Sequence, residues 1–176
     1  MSVVDPEDYA NSSLTIREAL LDRAKRFPGK AERPEHILWK GLTVTTGDAF
    51  RVPREGVVQG EILFSKGELE QGFDLKLDGW LRLENGDKVS SLRTWNDPRY
   101  EAVVEYPFQS KDGRLWVWNV YKRHLPDGRA IEEKWTENAG LWVESISEKE
   151  RIYHCSHGFL YPPDFESLVF KITIKP

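Results

Sequence analysis

The sequence predicts an all-β chain of antiparallel strands preceded by one helix, and three features carry that prediction. In Phe73–Leu83, the residues Phe73, Leu75, Leu77, Gly79, Leu81 and Leu83 alternate with Asp74, Lys76, Asp78, Trp80 and Arg82. This is the period of two that puts one face of a strand in a core and the other in water. Turn signals such as Asn85-Gly86, Asp112-Gly113 and Asp127-Gly128 punctuate the rest, at about the 8–12-residue spacing of sandwiches and barrels. Only one segment has a helical period, and it lies before the strands, so no strand–helix–strand unit is supported.

Taken in order, the helix spans residues 15–27. Thr15 and Glu18 have capping-box spacing, and Ile16, Leu20, Ala24 and Phe27 recur every three or four residues. Arg23, Lys25 and Arg26 suit the C-terminal end of the helix dipole, and Pro28-Gly29 stops it. Residues 29–35 carry Gly, Pro and charge and read as a loop. Candidate strands follow at 37–45, 57–64 and 73–83. Asn85-Gly86 then turns the chain into 88–95, because both residues accept positive φ. Asn96-Asp97-Pro98 breaks that strand, and further strands are expected at 100–106, 115–124, 130–136, 141–146, 151–159 and 167–174.

The expected architecture is a single β domain over 1–176, with helix and linker in 1–35 and strands in 36–176. Its strands form an antiparallel meander closing into a barrel, with a jelly-roll sandwich as the alternative. In its run of antiparallel strands, its many Trp and Tyr residues and its N-terminal helix, the chain resembles lipocalin-like ligand barrels in architecture alone. The resemblance implies a ligand-sized interior.

Composition narrows the function classes. The chain has 176 residues, 25 Lys+Arg against 29 Asp+Glu (net −4), 39% apolar residues and 31% charged ones. With 7 Trp, 6 Tyr and 8 Phe to bury, it does not suit disorder. Its longest purely apolar run, Leu115–Trp118, falls far short of the roughly 20 residues that span a bilayer. Net acidity without a basic block argues against nucleic-acid binding. The one cysteine, Cys155, excludes an intrachain disulfide framework. The first residues, MSVVDPEDYANSS, have neither the basic nor the apolar region of a leader, so the expected location is cytoplasmic. No phosphate-binding, dinucleotide, EF-hand, zinc-protease or nucleophile-elbow motif appears, and no cofactor or metal is expected.

Candidate site residues come from the aromatic strip. Six of the seven tryptophans lie between Trp80 and Trp142. In 115–124, Trp116, Trp118 and Val120 take one face and Val117, Asn119 and Tyr121 the other, so both faces carry large groups. Trp116, Trp118, Asn119, Tyr121 and Trp135 are the expected ligand-binding residues. Glu101 shares a strand face with Val103 and Glu105, as Glu133 does with Trp135 and Glu137, and a Glu desolvated beside Trp could move a proton. In His154-Cys155-Ser156-His157, only Cys155 and His157 share a side, too few ligands for zinc. Cys155 reads as a small buried hydrophobe and His157 as a proton-transfer group. The catalytic candidates are therefore Glu101, Glu133 and His157.

The expected function is binding of a hydrophobic or aromatic small molecule, with cofactor-free cyclase, isomerase or lyase chemistry as the activity such a pocket would support. A carbohydrate-binding sandwich and a non-enzymatic interaction domain are the alternatives. No membrane or nucleic-acid partner is expected.

Overall fold

A computed structural model describes residues 8–26, 36–67, 69–99 and 103–176. Helix α1 is Ile16–Arg26, and its first turn carries the predicted capping box. The Thr15 N–H donates to Glu18 Oε1 (3.0 Å), and the Glu18 N–H donates to Thr15 Oγ1 (3.2 Å). A third N–H of that end, from Ile16, donates to the buried side-chain oxygen of Asn138 (3.1 Å), which ties the helix to the far end of the sequence. Ile16 and Ala19 are fully buried among Tyr9, Ile37, Trp39, Val44 and Phe165. The predicted helix end at Phe27 lies outside the described residues.

Among the described residues, twelve strands form one antiparallel sheet. They are β1 (His36–Trp39), β2 (Leu42–Thr45), β3 (Asp48–Arg51), β4 (Glu55–Ser65), β5 (Gln71–Arg82), β6 (Lys88–Trp95), β7 (Val103–Ser110), β8 (Arg114–His124), β9 (Ala130–Glu133), β10 (Gly140–Ser147), β11 (Glu150–Ser156) and β12 (Leu168–Lys175). The spatial order is β1-β2-β10-β11-β12-β4-β7-β5-β8-β3, with β6 on β5 and β9 on β8. The all-β expectation holds. The ladder is not closed, because β1 and β3 stand at its two ends. Nor is the order a simple meander: β12 returns to β4, and β5 to β7 and β8, so several neighbours are far apart in sequence.

Local chemistry explains where the strands differ from expectation. The strand expected over 37–45 is a hairpin, because Lys40 (φ 49°) and Gly41 (φ 77°) turn the chain in the left-handed region. Asp8 holds that turn by accepting from the N–H groups of Lys40 (2.9 Å) and Gly41 (2.8 Å). The strand expected over 130–136 stops at Glu133, and Trp135 (φ 62°) and Glu137 (φ 49°) leave extended geometry. Within β5, Gly79 (φ 147°) allows the strand edge to pass from β8 to β7, where a Cβ would fall 1.9 Å from the Gln109 carbonyl oxygen.

The core occupies the inner face of the curved sheet. Phe73, Leu75, Leu77 and Leu81 of β5 meet Leu115 and Val117 of β8, Tyr153 and Cys155 of β11, and Phe170 and Ile172 of β12. The Phe170 ring stacks on Phe73 (4.7 Å) and on Tyr153 (4.9 Å), so side chains fill the space between these strands. Side chains also link β3, at one end of the ladder, to β11, which lies within it. Asp48 of β3 accepts from Arg151 Nη1 and the Tyr153 hydroxyl of β11, both at 2.7 Å. No helix among the described residues is long and apolar enough to cross a membrane.

Candidate functional site

The registers of β5 with β6 and β8 build the outer face on which the tryptophans lie. Asp74 stands opposite Trp118 on one side and Arg93 on the other; Lys76 stands opposite Trp116 and Ser91. Directly opposed residues share a face, so Trp116 and Trp118 lie outside the core, beside Asp74, Lys76 and Arg93. Trp135 approaches the same face, its ring 5.1 Å from Trp118 and inclined at 60°, the edge-to-face arrangement aromatic quadrupoles favour. Its left-handed backbone accompanies the end of β9 and the turn toward β10.

Facing these rings is α1. Leu20, Leu21 and Ala24 share a helix face by their spacing, and with Arg17 they form the opposite wall of a groove of about 680 Å³. Thr45, at the end of β2, and Thr46 and Gly47, in the link to β3, complete it beside Lys76 and the three tryptophans. Half of Leu21 (51%) and much of Trp135 (41%) remain exposed. A second lobe of about 470 Å³ shares Lys76, Trp118 and Trp135 with the first and extends over Asp74, Arg93, Glu132 and Lys134.

The two lobes differ in chemistry. In the second, Arg93 grips Asp74 through Nε (2.7 Å) and Nη2 (2.8 Å), and its Nη1 lies 3.4 Å from Glu132. The hydrogen bonds to Asp74 push the Arg93 pKa further up, which fixes the guanidinium as a cation. The Lys134 ammonium lies 4.9 Å from the Trp118 ring and 4.4 Å from the Trp135 ring, a cation–π placement. Trp118 is 6% exposed, and its indole N–H is covered and finds no acceptor among the described residues. A buried donor without a partner is costly, which marks this atom as one that a ligand or water oxygen would satisfy.

Of the expected ligand-binding residues, Trp116, Trp118 and Trp135 come together. Asn119 and Tyr121 sit on the opposite, inward face of β8. The Asn119 amide donates to the Ser156 carbonyl (3.0 Å), and Tyr121 bonds to Thr136 through its hydroxyl. Burial pushes the Tyr121 phenol up to about 12.

The catalytic candidates do not meet at the groove. Glu133 stands opposite Tyr121 and is paired with Arg123 (3.0 Å). His157 is buried beside Tyr121 (5.7 Å), and its Nδ1 accepts from the Phe159 N–H (3.1 Å). Glu101 lies outside the described residues. Cys155 is fully buried in the core, and burial pushes its thiol well up, away from thiolate chemistry. His154 stacks on Trp142 (4.1 Å) between Glu144 and Glu166, on the outer face of β10 and β11. Among the described residues no group of three or more His, Cys, Asp or Glu side chains is placed to hold a metal ion.

Sequence reasoning missed Leu20, Leu21 and Ala24 as a wall, and Lys76, Arg93, Glu132 and Lys134 as the charged lobe. The helical spacing of the first three and the wet-face position of Lys76 were available signals. The approach of Arg93 to Asp74 was not, since it depends on an irregularity between Lys76 and Leu81. No family profile, curated protein or solved structure matches the chain.

Proposed function

We propose that this protein binds a ring-bearing apolar small molecule in the groove between α1 and the outer face of β5 and β8. The convergence of Trp116, Trp118 and Trp135 opposite Leu20, Leu21 and Ala24 carries this reading. The volume of about 680 Å³ suits a small-molecule site, and indole faces give flat ligands area at little entropic cost. The site is thus outside the sheet rather than within it. A barrel-like shell remains the fold reading we favour, supported by the short Thr46-Gly47 link between β2 and β3 and by the Asp48–Arg151 and Asp48–Tyr153 contacts between β3 and β11.

The proposal is of binding. Cyclase, isomerase or lyase chemistry needs a group free to move a proton, and the two carboxylates lining the groove, Asp74 and Glu132, are both engaged by Arg93. The test is fluorescence titration with N-phenyl-1-naphthylamine, a neutral two-ring probe, against the wild type and Leu21→Glu. Leu21 is exposed, so the variant should fold. Removing its apolar contact should weaken binding about tenfold, as loss of a buried leucine side chain would. Absence of binding, or equal binding by the variant, overturns the proposal.

A further inference from the structure

We propose that the ligand is an amphipathic organic monoanion, whose apolar rings lie in the α1 lobe and whose anionic head lies in the second lobe between Lys76 and Lys134. This rests on the reading of the groove as a small-molecule site and adds the charge and orientation of its occupant.

The charges of the second lobe carry the inference. It is lined by three cations, Lys76, Arg93 and Lys134, and two carboxylates, Asp74 and Glu132. Both carboxylates turn to the same cation: Arg93 takes Asp74 through two short contacts and Glu132 at 3.4 Å. That leaves Lys76 and Lys134 without a carboxylate partner among the described residues. They are not remote surface charges. Lys76 lines both lobes, and the Lys134 ammonium stands over the two rings that separate them. A ligand whose rings rest against Trp118 and Trp135 therefore meets two uncompensated ammonium groups where it leaves the apolar lobe.

The orphan N–H of Trp118 points to the same chemistry. Trp118 lines both lobes, is 94% removed from solvent by its 6% exposure, and has no acceptor for its indole donor. An oxygen of a carboxylate or sulfonate head would supply that acceptor. A neutral hydrocarbon would leave both ammonium groups and the N–H as they are. A cation would face the excess positive charge. Lysines act as point charges rather than as a planar fork, which suits a single compact anionic group.

The experiment compares two probes with one skeleton: 8-anilinonaphthalene-1-sulfonate, which carries an anionic head, and N-phenyl-1-naphthylamine, which does not. Wild-type protein should bind the sulfonate about tenfold more tightly at low salt, and the gap should shrink as sodium chloride screens the lysines. Lys76→Met and Lys134→Met should each narrow the gap about three- to fivefold, in keeping with partly exposed charge pairs. The double variant should close it, read as the ratio of the two probes' affinities in the same protein. Lys→Arg replacements at both positions should retain the gap. Equal affinities for the two probes in the wild type, or a gap that survives the double Met variant, overturns the anionic head and leaves the groove standing. Failure of the neutral probe to bind the wild type overturns the groove reading itself. Near-ultraviolet circular dichroism of each variant confirms that the fold is intact before its titration is read.

Discussion

Arg93 shows how one side chain sets the character of the groove. Its Nε and Nη2 are committed to Asp74, whose side chain is 7% exposed. Asp74→Ala would leave a half-buried guanidinium with Glu132 alone, so destabilisation of about 2 kcal/mol is expected in urea unfolding. The same change adds positive charge to the second lobe, so the variant should bind the sulfonate probe more tightly while being less stable. Weaker binding would show that Asp74 acts on the groove through structure rather than charge. The sequence made Trp116 and Trp118 legible as one face of β8, because alternation alone groups them. It could not say that this face is outside the core, since that depends on β5 and β3, which bring Leu75, Phe73 and Phe50 to the other face. Asn119 and Tyr121 stand among the expected ligand-binding residues because alternation puts them on the other face of the same strand without saying which face meets a ligand. Glu133 and Trp135 looked adjacent only on the assumption that extended geometry continued past Glu133. In the structure Glu132, not Glu133, lines the groove beside Trp135.

The elements that frame the groove depend on small polar devices. Thr15 caps α1, and Thr15→Ala should cost about 1 kcal/mol while loosening the helix that forms the apolar wall. Circular dichroism and urea unfolding would read that cost, and the neutral probe would read the wall. Asp8 performs a related task for β1 and β2, accepting from the N–H groups of Ala10 (3.0 Å), Lys40 and Gly41. The Ala10 hydrogen bond, followed by those to Gly41 and Lys40, outweighs desolvation and holds its carboxyl below the ordinary 3.8. A depressed folded-state pKa contributes stability that is present above 3.8 and lost as pH falls through the lower folded value. Amide chemical shifts of Lys40 and Gly41 should therefore move together below pH 3.8, and Asp8→Asn should remove that step. Independent movement of the two amides would separate the turn from Asp8. The capping box and the Asn85-Gly86 hairpin were legible because each is a local pattern. The Lys40-Gly41 turn was not, because the carboxylate that supports it lies over thirty residues away. The registry of β6 was hidden as well. Extending its Leu81–Val89 pairing would put Asn96 opposite Asp74, and the irregularity in between puts Arg93 there instead.

At the scale of the molecule, the strand order could not be read because it rests on pairings between distant segments: β4 with β12, β5 with β7 and β3 with β8. The all-β class follows from period two, but neighbours in such a sheet are chosen by which apolar faces fit together. The side-chain contacts between β3 and β11 have their own chemistry, and this exposes the structure to alkali. Tyr153 is pushed well up, chiefly by burial and then by Asp48, whose carboxylate accepts from its hydroxyl. Tyr121, pushed to about 12 by burial, lies on the inward face of β8 next to the turn that carries Trp135. A phenol whose folded pKa exceeds its unfolded value of about 10 loses a proton more readily when unfolded. Its contribution to stability is therefore complete below pH 10 and declines as pH rises from there toward the folded value. Alkaline unfolding should begin in that window, and absorbance at 295 nm should show Tyr121 and Tyr153 ionising last, in step with loss of near-ultraviolet dichroism. Tyr121→Phe and Tyr153→Phe should each flatten the decline in stability from about pH 10 to about pH 12, Tyr153→Phe after the loss of its bond to Asp48 has been allowed for by measuring both proteins at neutral pH. Titration of all the tyrosines near 10 with the dichroism unchanged would mean that the packed inner face opens to water without the fold being lost, and that the side chains linking β3 to β11 do not hold the sheet together.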